Sequence, residues 1–156
     1  MSAKYRVAII GTGRMGGLME DGIPVGSFSK PYAHFPSYQA IEETEVVAVT
    51  NRGKERLQRF CERFGVTNTY LDYREMIEKE KPDAVYAILP PHHLYDIAAT
   101  VLDMKRNLII EKPPGVKSEQ ARQLAQLAQK KRVVTGVTFQ RRYSPLIQRG
   151  KRICEK

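Results

Sequence analysis

Tyr5-Arg6-Val7-Ala8-Ile9-Ile10 runs directly into Gly11-Thr12-Gly13-Arg14-Met15-Gly16. A short apolar, β-branched run followed at once by a G-x-G-x-x-G turn reads as a first parallel strand handing over to a helix. That is the context a dinucleotide pyrophosphate requires. In this reading Gly11 allows the tight turn, Gly13 lets the backbone approach the phosphates, and Gly16 permits close packing of helix on strand. Thr12, Arg14 and Met15 complete the turn, and free N–H groups at the helix start would face the anion.

The rest of the chain supplies the setting for that turn. Further continuous apolar runs occupy 45–50, 83–89, 107–110 and 133–139, with a weaker one near 67–70. Runs that do not alternate with polar residues indicate strands covered on both faces, as in a parallel sheet. Helical spacing lies between them. Leu57, Phe60, Cys61 and Phe64 share one face, with Gly65 as the stop, and Leu94, Ile97, Ala98, Val101 and Leu102 repeat the pattern. Ala121, Leu124, Ala125 and Ala128 do so again behind Ser118, an expected N-cap. Strand and helix in regular succession predict an α/β fold, a doubly wound and mostly parallel sheet in three α/β/α layers.

One stretch interrupts the succession. A helical start at 18–20 meets a Gly- and Pro-rich segment, 21–31, which cannot continue a helix. Helical pattern resumes over 32–44, with Pro36 restricting where it begins. The segment reads as an inserted loop near the glycine turn, either a cover over a ligand or a tolerated surface insertion.

Composition narrows the function classes. With 156 residues there is room for one domain able to bury a real core. No apolar stretch approaches the ~20 residues that span a bilayer. Cys61 and Cys154 are too few and too unpatterned for a disulfide framework or a zinc site, so no metal is expected and a reducing, cytoplasmic setting is. The net charge is +9, but more than half of the excess lies after Phe139, in Arg141, Arg142, Arg149, Lys151, Arg152 and Lys156 against Glu155. A basic tail without interleaved aromatics argues against a nucleic-acid surface.

The end of the second strand is where such folds read the adenosine ribose. A carboxylate there favours a free 2′-hydroxyl, whereas neutral or basic residues admit a 2′-phosphate. This chain has Thr50-Asn51-Arg52-Gly53-Lys54. Asn51 supplies no carboxylate, and Arg52 can stack on adenine or grip a phosphate. A charge-assisted hydrogen bond of about 1.5–3 kcal/mol corresponds to a roughly ten- to hundredfold preference. The expected cofactor is therefore NADP, with NAD as the alternative.

At the opposite end, the fourth strand runs into Leu89-Pro90-Pro91-His92-His93-Leu94 and the fifth into Glu111-Lys112-Pro113-Pro114-Gly115. Both turns belong to the carboxyl edge of the sheet, where open α/β folds bind ligands. Pro113 is a candidate for a cis peptide bond in a tight turn. With Gln140-Arg141-Arg142-Tyr143-Ser144-Pro145 after the last strand, these motifs closely resemble the Gfo/Idh/MocA family. Its members are oxidoreductases related to glucose–fructose oxidoreductase and inositol dehydrogenase.

The resemblance implies a Rossmann fold over 1–143. It implies that Lys112 is the catalytic lysine beside the nicotinamide, hydrogen-bonding a substrate hydroxyl and stabilising charge on that oxygen. Glu111 would orient the turn, while Leu89, Pro90, His93, Gln140 and Arg142 would contact the cofactor. Many relatives place a histidine where this chain has Leu94; His92 or His93 replaces it, or neither does. Family members continue into a second, α+β domain, so 144–156 reads as the start of a connecting helix, and turnover by this chain alone is expected to be weak or absent. The implied partners are a pyridine nucleotide and, in a complete enzyme, a sugar- or polyol-like substrate, with self-association possible. The competing reading is a non-catalytic nucleotide-binding regulatory module.

Overall fold

The alternation of inward residues along the first strand decides how the layers form. In β1 (Tyr5–Ile10), Val7 and Ile9 face one side of the sheet and Ala8 and Ile10 the other, and all four are buried. The computed structural model, which describes residues 3–19 and 31–155, places five more strands alongside it. They are β2 (Thr44–Thr50), β3 (Thr69–Tyr70), β4 (Ala84–Ala87), β5 (Asn107–Ile110) and β6 (Thr135–Val137). Every pairing is parallel and the order is β3-β2-β1-β4-β5-β6. The doubly wound sheet is as expected. The runs at 83–89 and 133–139 are trimmed to β4 and β6, although Asp83, Ile88, Val134 and Thr138 at their edges still share backbone hydrogen bonds with neighbouring strands.

Helices cover both faces. On the side of Val7 and Ile9 lie α1 (His34–Gln39) and α2 (Lys54–Phe64), whose Phe35, Leu57 and Phe60 pack against Val49, Tyr86 and Ile88. On the side of Ala8 and Ile10 lie α3 (Tyr73–Glu80), α4 (Pro91–Asp103) and α5 (Ser118–Lys131), contributing Met76, Ile77, Leu94, Ala98, Val101 and Leu124. A final helix, α6 (Pro145–Cys154), buries none of its residues.

Two local expectations are corrected, and one helix has no counterpart in the sequence reading. The helix expected over 32–44 is only α1, since the backbone turns at Ala40 and Thr44 already belongs to β2. Ser118 is the first residue of α5 and not its cap; Gln120 Oε1 reaches back to accept from the amides of Val116 and Lys117. Helix α3 carries no long apolar stripe for a sequence reading to find. It is set by Asp72, whose carboxylate accepts from the Arg74 amide, and by the buried pair Met76 and Ile77. The inserted segment lies outside the described residues except for Pro31. Gly65 does end α2 in the left-handed conformation, and the Lys112–Pro113 peptide is cis. Among the described residues no helix is long and apolar enough to cross a membrane.

Candidate functional site

Chain order reverses between β1 and β4: one half of the sheet winds away from β1 through β2, the other from β4 through β5. Crevices at such points, beyond the carboxyl ends of the strands, are where open α/β sheets take ligands. Here the crevice is a cleft of about 790 Å³, bounded by the turns after β1, β2, β4 and β5, with Leu71, Asp72, Tyr73 and Arg74 after β3 also on its lining.

The glycine turn forms the cleft's centre. Gly11 has φ +106°, and a Cβ there would lie 2.2 Å from the Ile88 carbonyl oxygen. Gly13 faces open space. Gly16 is buried under the turn, where a Cβ would lie 2.5 Å from the Gly11 carbonyl oxygen. Gly17 makes a second close approach, since a Cβ on it would meet the Phe60 ring of α2 at 2.5 Å. Among the described residues no regular α-helix follows the glycines directly. Residues 14–17 form turns and 18–19 a 3-10 turn, while α1 docks on the same loop. The His34 and Phe35 amides donate to the Met15 and Gly16 carbonyls at 3.0 and 2.9 Å.

Asn51 braces the second wall. Its Nδ2 donates to Thr12 Oγ1 and its Oδ1 accepts from the Gly53 amide, both at 2.9 Å, tying the β1 turn to the β2 end. Thr12 is thereby buried and does not line the cleft. Exposed Arg52 does line it, and so does Arg56 in the first turn of α2; Lys54 does not. Leu89, Pro90 and His93 lie on the third wall, and Leu94 is fully buried in the core. Burial, then His92 and Arg52, push the His93 imidazole below its ordinary pKa.

Glu111 and Lys112 close the fourth wall. Lys112 is exposed and its Nζ lies 3.7 Å from Glu111 Oε2. The other carboxylate oxygen is held from behind: His34 Nε2 at 2.8 Å, Thr138 Oγ1 at 2.9 Å and the Tyr86 hydroxyl at 3.3 Å converge on Oε1. A carboxylate only accepts, so His34 Nε2 carries the proton and Nδ1, 3.0 Å from the Tyr86 hydroxyl, is bare. Gln140 and Arg142 stand apart on an exposed 3-10 turn, Gln140–Tyr143, and do not line the cleft. No cluster of potential metal ligands occurs among the described residues.

Burial lowers the His34 pKa, and this outweighs the opposing pull of Glu111. The unfolded chain takes up that proton near the usual histidine value of about 6.5, the folded chain only at lower pH. Acidification through that window is therefore expected to cost stability. Melting temperature should fall from about pH 7 downward, and less steeply in His34→Gln, which cannot titrate.

Comparison with known proteins agrees with this architecture. Residues 5–139 match the Gfo/Idh/MocA model, described as an oxidoreductase family with an NAD-binding Rossmann fold. D-glucoside 3-dehydrogenase of Escherichia coli K12 is 28% identical over 143 residues, which cover 92% of this chain and 37% of that protein. Two crystal structures share the fold, each with TM-score 0.79. One is a 3-ketoreductase from Actinomadura kijaniata in complex with TDP-benzene and NADP, at 23% identity over 97% of this chain and 44% of that one. The other, from gentamicin A biosynthesis in complex with NAD, is 24% identical over 98% and 39%. The chain thus spans well under half the length of these relatives. With a family match over nearly all of its strands and helices, the chain belongs to the Gfo/Idh/MocA oxidoreductase family as an NAD-binding Rossmann domain.

Proposed function

We propose that the cleft binds NADP(H) in preference to NAD(H), and that the domain serves a dehydrogenase acting on a secondary alcohol of a sugar- or polyol-like substrate. The observation that carries this is the meeting of the glycine turn and the Glu111-Lys112 turn on one cleft. The residues suit the cofactor. Gly13 leaves an open cradle that any side chain would fill, and the cleft volume is within the roughly 300–1,000 Å³ of ligand sites.

In this reading the amides of the glycine turn hold the diphosphate. Arg52 and Arg56 offer two guanidinium groups to a 2′-phosphate, and Asn51, occupied as a brace, brings no negative charge there. The bound nicotinamide supplies the hydride acceptor. Lys112 Nζ donates to the substrate oxygen and stabilises negative charge developing on it, while Glu111 orients the lysine.

Calorimetric titration with NADPH and NADH tests this on the chain itself. NADPH is expected to bind about ten- to hundredfold more tightly, and Asn51→Asp with Arg52→Ala to remove most of that difference. Thr12 can donate to the new carboxylate, so the brace is retained. Equal affinities would refute the NADP preference, and no affinity for either would refute the cofactor reading.

A further inference from the structure

The carboxylate of Glu111 is an unusual thing to bury behind a nicotinamide site. It is 6% exposed, yet it lines the cleft. All its hydrogen bonds from α1, β4 and the segment after β6 fall on Oε1, leaving Oε2 to face the half-exposed Lys112 ammonium at 3.7 Å. His34 is the link between the two ends of the cleft, because its amide is hydrogen-bonded to the glycine turn and its ring to Glu111.

We propose that Glu111 and His34 form a specificity-determining pair for the oxidation state of the bound cofactor. The fixed carboxylate favours the cationic, oxidised nicotinamide over the neutral, reduced one, and protonation of His34 cancels that bias. This rests on the cofactor reading above.

Among the described residues the charges around the pair are few. Lys112 shares its turn, Tyr86 of β4 lies against the imidazole edge, and Tyr38 of α1 packs on Tyr86. Burial raises both phenols above their ordinary value, so neither brings charge at neutral pH. Thr138 is uncharged. Because burial also keeps His34 neutral there, among the described residues the carboxylate's charge is answered only by the more distant lysine. Below the His34 pKa the imidazolium at 2.8 Å answers it directly.

The test is the ratio of dissociation constants for NADPH and NADP+, measured by titration on wild type, Glu111→Gln and His34→Gln. The adenosine, ribose and phosphates are common to both ligands, so their own titration cancels in the ratio. Glu111→Gln is expected to shift the ratio about three- to tenfold toward NADPH, the size of a screened charge–charge interaction across several ångströms. Lowering the pH from about 7.5 through the His34 pKa, located by its own NMR titration, should shift wild type in the same direction, and His34→Gln should lose the part of that dependence that follows the His34 titration. If Glu111→Gln weakens both ligands equally, the carboxylate is only structural and the proposal is overturned; an unchanged ratio overturns it too. Absence of binding by either form in wild type would instead bring down the cofactor reading. A cofactor-free readout separates the two: by 15N NMR the His34 ring should be the Nε2–H tautomer, and its pKa should fall further in Glu111→Gln. An unaltered His34 titration overturns the pairing itself.

Discussion

Gly13→Val is expected to leave folding stability within about 0.5 kcal/mol of wild type and to weaken NADPH binding by about a hundredfold or more. The two effects separate because of where the added atoms go. A Cβ at Gly13 meets no protein atom, so the folded chain has no reason to resist it. The same open space is the cradle a diphosphate would enter, and a branched side chain there holds it away from the turn's amides. Gly11→Ala predicts the opposite split. Its φ of +106° and the 2.2 Å approach to the Ile88 carbonyl oxygen make even a methyl group costly, by about 3 kcal/mol. Thermal denaturation and calorimetry on both variants check the pair. Loss of stability in Gly13→Val, or NADPH binding as tight as wild type, would show that this turn is not a phosphate cradle.

Phe60→Ala should be the most destabilising single substitution in the domain, at about 3–5 kcal/mol, with a fall in melting temperature on the order of 10 °C. Phe60 is fully buried and stands edge-on to Phe35 of α1 with ring centroids 5.1 Å apart. Phe64 lies 4.7 Å from Phe60 and 5.0 Å from Phe35, completing an aromatic triad. The backbone of Gly17 lies directly on the Phe60 and Phe64 rings. Removing the Phe60 ring therefore opens a cavity under the glycine turn and under α1 together. Chemical denaturation measures the loss, and a cost below about 1 kcal/mol would mean that the neighbours collapse into the space. Against a typical total of roughly 5–15 kcal/mol, the predicted cost is a large share of what holds the site in place.

Much of the cleft was legible because its signals are local. Each wall is a turn following a buried strand, and glycine, proline and a charged residue at such a turn are readable from a few neighbouring positions. Arg56 reaches the cleft from the first turn of α2, a position that no motif in the sequence marks. Helix α3 was missed because it buries too little to leave a periodic trace. Thr12 and Gly16 are buried within the glycine turn, and Gln140 and Arg142 lie on an exposed 3-10 turn outside the cleft lining, placements that packing sets and a motif does not.

Hydrophobic order along the chain is sufficient to determine a parallel, doubly wound sheet and which loops lie at its carboxyl edge, since burial on both faces and short crossovers leave little other choice. It also determines that glycines, arginines and Lys112 reach that edge. What the tertiary structure alone decided is the company these residues keep. His34 and Glu111 are 77 positions apart, and no periodicity or motif connects them. They meet because α1 docks on the glycine turn while β5 ends two strands away, and only packed helices and sheet bring such distant groups within hydrogen-bonding reach.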